Sequence, residues 1–182
     1  GLLRFTLSPV GDITETRYNA FGDVGATVRY AIPSDGRVFS TETLTQYVQT
    51  IAHPETDETI FYQYNTLGQL IRELSGTDNI RTYRYNAFGA LAARTQTLNA
   101  SETTTTTYSY EQRGLLRERI DDVDGIHKTW SAEYDALGNL KTAWDEHHVA
   151  SRYYYSRRGE QILIEHPGRA QVITRYDAFG RI

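Results

Sequence analysis

The sequence predicts an all-β fold, an antiparallel meander of repeated β-hairpins carrying one short helix. Three observations lead there. A five-residue pattern, Tyr-x-x-x-Gly, recurs seven times along 182 residues. Aromatic and polar residues alternate in twos just before it. Tyrosine, at 14, is more than twice as common as phenylalanine at 6, in a chain with no methionine or cysteine. Aromatic and β-branched residues at an apolar share of 39% suit pleated, half-exposed surfaces better than a thick globular core.

The seven copies run from Tyr18 to Gly22, Tyr64 to Gly68, Tyr85 to Gly89, Tyr110 to Gly114, Tyr134 to Gly138, Tyr155 to Gly159 and Tyr176 to Gly180. Successive glycines are 46, 21, 25, 24, 21 and 21 residues apart, so the first gap hides one degenerate unit. Gly1 lies 21 before Gly22 and closes a further repeat. About eight repeats therefore form a single array over residues 1–182, interrupted at 25–59.

Each position has a physical reading. Asn or Asp follows the tyrosine at 19, 65, 86, 135 and 177, where its side chain caps a turn by bonding to the backbone two residues on. The glycine three residues later supplies a positive φ for a type I turn with a bulge. Upstream, Tyr62-Gln63-Tyr64, Tyr83-Arg84-Tyr85 and Tyr108-Ser109-Tyr110 put rings on one face and polar groups on the other. Two residues after the glycine, Val24, Leu70, Leu91, Leu116, Leu140 and Ile182 start the return strand, with Gln161 as the exception. Looser turns at Pro9 to Asp12, Thr77 to Asn79, Asp124-Gly125 and His166 to Gly168 divide each unit into two strands.

Residues 25–59 follow other rules. Val28 to Ile32 and Arg37 to Ser40 read as strands around Pro33-Ser34-Asp35-Gly36. Leu44, Tyr47, Val48 and Ile51 then keep the helical period up to Pro54, which predicts an amphipathic helix near residues 42–52.

The chemistry-bearing residues are few. His147-His148 lacks a recurrent acidic partner and reads as a surface turn, as does Asp121 to Gly125, which has neither the alternating acids nor the closing glutamate of a calcium loop. No serine sits in a nucleophile elbow, and Asn99-Ala100-Ser101 is a glycosylation sequon by pattern alone. No catalytic, cofactor-binding or metal-ligating set can be named, so the expectation is a protein that is not an enzyme and takes no cofactor. A net charge of −4 without a basic run offers no nucleic-acid footprint. No stretch approaches the roughly 18 apolar residues of a membrane helix. Opening Gly1-Leu2-Leu3 and ending in mid-motif at Gly180-Arg181-Ile182, the chain reads as a piece of a longer array.

The pattern Tyr-x-Tyr-Asn/Asp-x-x-Gly-x-Leu resembles the tyrosine-aspartate (YD) repeats of the Rhs and YD-repeat family, over almost the whole chain outside residues 25–59. That family includes bacterial polymorphic toxins, the BC components of insecticidal toxin complexes and the teneurins. The resemblance implies repeats that wind as a spiral β-sheet into a hollow shell or barrel. In the toxins such a shell encloses a C-terminal toxic domain, so the implied partners are neighbouring repeats and an enclosed cargo, in a secreted or cell-surface protein. The core and autocleavage motifs that follow the repeats in the toxins are not visible here. The alternative function is carbohydrate binding or adhesion, through the ligand-facing candidates Tyr83, Tyr108 and Tyr153, because stacked rings on a wet surface suit sugar faces.

Overall fold

The computed structural model describes residues 2–34, 40–76, 78–99 and 101–182. The strands follow one another in the sheet in the order of the chain, and every described pairing is antiparallel. The residues group into two compact units, Gly1–Tyr83 with Gln96–Thr103, and Arg84–Thr95 with Thr104–Ile182.

The first unit contains β1 (Phe5–Leu7), β2 (Ile13–Tyr18), β3 (Val24–Arg29), the helix α1 (Thr41–Ile51), β4 (Glu58–Tyr64), β5 (Leu70–Ser75) and most of β6 (Asn79–Tyr85). The helix starts where Ser40 accepts the Thr43 N–H at 3.2 Å while the Thr43 hydroxyl accepts the Ser40 N–H at 2.8 Å, a reciprocal cap that satisfies two donors the first turn cannot. Leu44, Val48 and Ile51 fall on one side of it and pack on Ile13, Val28 and Tyr30. Burying each of these helix side chains contributes about 1.5–3 kcal/mol, and together they form the core cluster of buried apolar residues among the described residues. Beneath it lies Glu15, 3% exposed, whose carboxylate takes Arg4 and Arg17 at 2.9 and 2.8 Å and the Tyr30 hydroxyl at 2.9 Å. Burial works to raise the Glu15 pKa, but the two guanidinium groups and the phenol outweigh it and hold the carboxyl below its ordinary value.

The first inter-repeat segment differs from expectation in two places. Strand β3 spans Val24–Arg29, not Val28 to Ile32, because the chain leaves the sheet early. The Tyr30 N–H still reaches the Ile13 carbonyl, but the Ala31 N–H is taken by the Asp57 carboxylate, which also takes the His53 N–H. One side chain thus ties both ends of the excursion that carries α1. Ser40, expected to end a strand, is the helix cap; residues 37–39 of that expected strand, and Gly1 as the close of a further repeat, lie outside the described residues.

The second unit contains parts of β7 (Leu91–Thr97) and β8 (Thr103–Tyr110), then β9 (Leu116–Asp121), β10 (Lys128–Tyr134), β11 (Leu140–Trp144), β12 (Ala150–Tyr155), β13 (Gln161–Glu165) and the short β14 (Gln171–Ile173), reached through a 3-10 turn at Pro167–Arg169. No α-helix is among its described residues, and most of its strand residues are half-buried. Its buried side chains, among the described residues, are small: Ala93, Thr106, Ala132, Thr142 and Ala143. No helix of the structure is long and apolar enough to cross a membrane.

Candidate functional site

The recurring structure of the chain is its corner, and the corner is built from five residues. At Tyr134 to Gly138, the Asp135 N–H donates to the Asn139 carbonyl at 2.9 Å and the Gly138 N–H to the Asp135 carbonyl at 3.1 Å. The Asp135 carboxylate then accepts the Leu137 and Asn139 N–H groups, both at 2.9 Å. Four of the N–H groups that the tight turn would otherwise strand are thereby satisfied. Asn19, Asn65, Asn86 and Asp177 accept the corresponding two N–H groups in the same way. Ser156 does so with its hydroxyl, at 3.1 and 3.3 Å, while Glu111 gives up the cap and holds Arg113 at 2.7 Å instead.

The motif glycines Gly22, Gly68, Gly89, Gly114, Gly138, Gly159 and Gly180 all have positive φ, between 74° and 89°. Each corner also sets register. Tyr18 faces Val24, Tyr64 faces Leu70, Tyr110 faces Leu116, Tyr134 faces Leu140 and Tyr155 faces Gln161, each with a bulge just before the tyrosine.

The tyrosine hydroxyls add what the pattern alone does not disclose. Tyr64 donates to the Val24 carbonyl at 3.0 Å, Tyr110 to Leu91 at 2.8 Å, Tyr134 to Leu116 at 2.8 Å and Tyr176 to Gln161 at 3.2 Å. In each case the acceptor is the first residue of the return strand that leaves the preceding motif corner. Tyr18 reaches the Leu3 carbonyl at 2.7 Å, and Tyr155 lies against the backbone of Leu140. The ring packs while its polar tip ties one corner to the previous one. Burial pushes the phenols of Tyr64, Tyr110, Tyr134 and Tyr155 up. The clue was available in the sequence, since tyrosine and never phenylalanine opens all seven motifs.

A further motif corner lies where the sequence reads only a surface turn. At the opposite end of the β11–β12 hairpin, the Asp145 N–H donates to Val149 O, His148 N–H to Asp145 O, and the carboxylate accepts the His147 and Val149 N–H groups at 3.0 and 2.9 Å. This is the motif turn with Trp144 in the tyrosine place and His148, at φ 57°, in the glycine place. The His147-His148 pair is therefore a turn, and no group of three or more potential metal ligands occurs among the described residues.

Hydrogen bonds depress three corner aspartates below their ordinary 3.8. For Asp135 the Asn139 amide leads; for Asp145 it is the Val149 N–H, and for Asp177 the Arg181 N–H followed by its guanidinium.

The ligand-facing candidates Tyr83, Tyr108 and Tyr153 are half-buried. Tyr108 and Tyr153 help to line two clefts between successive corners, of about 600 and 700 Å³. The motif's fourth position was also overlooked: Phe21, Leu67, Phe88, Leu137 and Phe179 project from the turns almost wholly into solvent.

No family model matches the sequence, and no curated protein matches it. Among solved structures, the crystal structure of TcdB2-TccC3-TEV matches 92% of this chain with a TM-score of 0.70 at 16% identity. The crystal structure of TcdB2-TccC3-Cdc42 matches 85% of it at the same 16% identity, with a TM-score of 0.45 that bears no weight here. The chain spans 9% of the length of the TcdB2-TccC3-TEV chain that it matches, and at that identity the likeness is one of fold: this protein is folded like a stretch of that chain.

Proposed function

We propose that this chain is a structural YD/Rhs repeat segment that forms part of a hollow β-shell around a C-terminal toxin or other cargo domain, in a secreted or surface protein. It works as a scaffold: its tyrosines, glycines and leucines set the sheet, and none carries catalysis. The observation that carries the reading is the corner-to-corner tie, a tyrosine hydroxyl bonded to the return strand of the preceding motif corner at Tyr64, Tyr110, Tyr134 and Tyr176. Such a tie makes each repeat depend on its neighbour, so the sheet extends by addition of like units. The fold likeness to TcdB2-TccC3-TEV supports the same reading.

The test is limited proteolysis of the full-length protein that contains this array. A cargo domain inside a shell resists protease until the repeats are broken, so it should survive in wild type and be digested at least ten times faster in Gly89→Val or Gly138→Val variants. Digestion of the domain in intact protein as fast as in isolation would refute encapsulation.

A further inference from the structure

The exposed residues at the fourth motif position form a pattern that the scaffold does not use. In the second unit the successive corners present Phe88, Arg113, Leu137, Arg158 and Phe179, apolar and cationic by turns. The three apolar side chains are 96%, 86% and 85% exposed. Each arginine is turned toward the next corner instead, Arg113 donating to the Asp135 carbonyl at 2.7 Å and Arg158 to the Ala178 carbonyl at 3.2 Å. Apolar tips therefore stand at every second corner, with the arginines folded down between them.

Beside two of the tips lie the clefts. One is bounded by Phe88, Tyr108, Tyr110 and Arg113, the other by Leu137, Tyr153, Tyr155 and Ser156. Corners on one rim of a meander are two strands, or about 10 Å, apart. The clefts are thus about 20 Å apart, and so are the tips Leu137 and Phe179. Equal spacing lets one two-fold axis seat Leu137 of each copy in the partner's Tyr153 cleft and Phe179 in the partner's Tyr108 cleft at once.

We infer that this rim is an interface with a second copy of the same chain, paired about a two-fold axis by these tips and clefts. Charge permits it: the rim corners carry Glu111, Asp135, Glu160 and Asp177 against Arg113, Arg157, Arg158 and Arg181, so two like rims meet without net repulsion. Area sets the strength. Four seated tips and the walls that receive them bury roughly 1,200 Å², the lower edge of specific interfaces, so the dimer is weak and concentration-dependent.

Sedimentation equilibrium of this chain over a hundredfold range of concentration tests it. The mass should rise from the 20.8 kDa monomer toward twice that value. The double variant Leu137→Arg/Phe179→Arg should remain monomeric throughout. It keeps its fold, to be checked by circular dichroism, because Arg113 and Arg158 occupy the same turn position natively. Phe21→Arg, an equally exposed corner of the first unit, should dimerise like wild type and controls for loss of general stickiness. A wild type that stays monomeric at the highest concentration overturns the inference. So does a dimer that survives the double variant, which would indicate pairing through the edge strand β14, or one that Phe21→Arg dissolves equally.

Discussion

Replacing Gly138 separates backbone strain from crowding at a corner. Its φ of 89° lies beyond the left-handed well near 50–70° that other residues reach, while a Cβ there would meet only the Leu115 Cδ1 at 3.7 Å, an ordinary contact. Gly138→Ala therefore pays strain alone, about 2 kcal/mol at this φ, offset by about 0.4–1 kcal/mol because alanine narrows the unfolded ensemble. The net loss is about 1–1.5 kcal/mol, and Gly138→Val, β-branched, should lose more. At the sister corner His148 already sits at φ 57°, inside the well, so His148→Gly relieves about 1 kcal/mol and forfeits nearly as much in chain entropy. It should lie within about 0.5 kcal/mol of wild type. Urea titration followed by far-ultraviolet circular dichroism reads both differences; Gly138→Ala as stable as wild type, or His148→Gly as damaging as Gly138→Ala, would refute the strain argument.

Tyr134→Phe deletes the donor to Leu116 and should cost about 1 kcal/mol in the same titration, whereas Tyr154→Phe, whose hydroxyl meets Glu165 in the open, should change stability by less than about 0.5 kcal/mol. Glu15→Ala strands two guanidinium groups and the Tyr30 phenol, but since Arg4 and Arg17 are half-exposed and can rehydrate, the loss should be about 2–3 kcal/mol, below that of a fully buried pair. Because the folded-state pKa values of Asp135, Asp145 and Asp177 are depressed, their contribution is complete above the ordinary 3.8 and fades as pH falls through the lower folded values. Converting all three to asparagine, which caps the native corners at 19, 65 and 86, should flatten that acid limb in pH-dependent melting and lower stability at pH 7 toward the acid-limb value, because the charge-dependent part, including the Asp177–Arg181 pair, is removed at every pH.

What could be read from the sequence was whatever the corner dictates locally. Asn65, Asn86 and Asp135 announce a cap, the glycine three residues on announces positive φ, and their phase fixes the return strands at Leu70, Leu91 and Leu140. The helix Thr41–Ile51 was legible for the same reason, its apolar period and its stop being local. Long-range bonds were not legible. Nothing near Ala31 in sequence foretells that Asp57 will take its N–H and shorten β3, and although His147-His148 reads as a surface turn, nothing around Asp145 signals that it repeats the motif corner once tyrosine and glycine have become Trp144 and His148. The candidate site was read in part: the motif tyrosines were found by position, but their hydroxyl acceptors lie 15 to 40 residues away and follow only from the register of the sheet.

That register explains how the same corner can serve both stability and extension. A strand slipped by one residue would turn its rings to the other face, and half-buried strands such as β8 and β12 gain too little from either face to forbid it. The corner removes the ambiguity twice. Its bulge fixes each tyrosine opposite one return-strand residue, and its hydroxyl reaches the carbonyl of the equivalent residue one repeat earlier, so a slip in one hairpin breaks a bond in the next. Specification by polar ties leaves the side chain at the turn's fourth position free to vary. Arg113 and Arg158 occupy it as readily as Phe88, Leu137 and Phe179, and that freedom is what an exposed interaction surface requires.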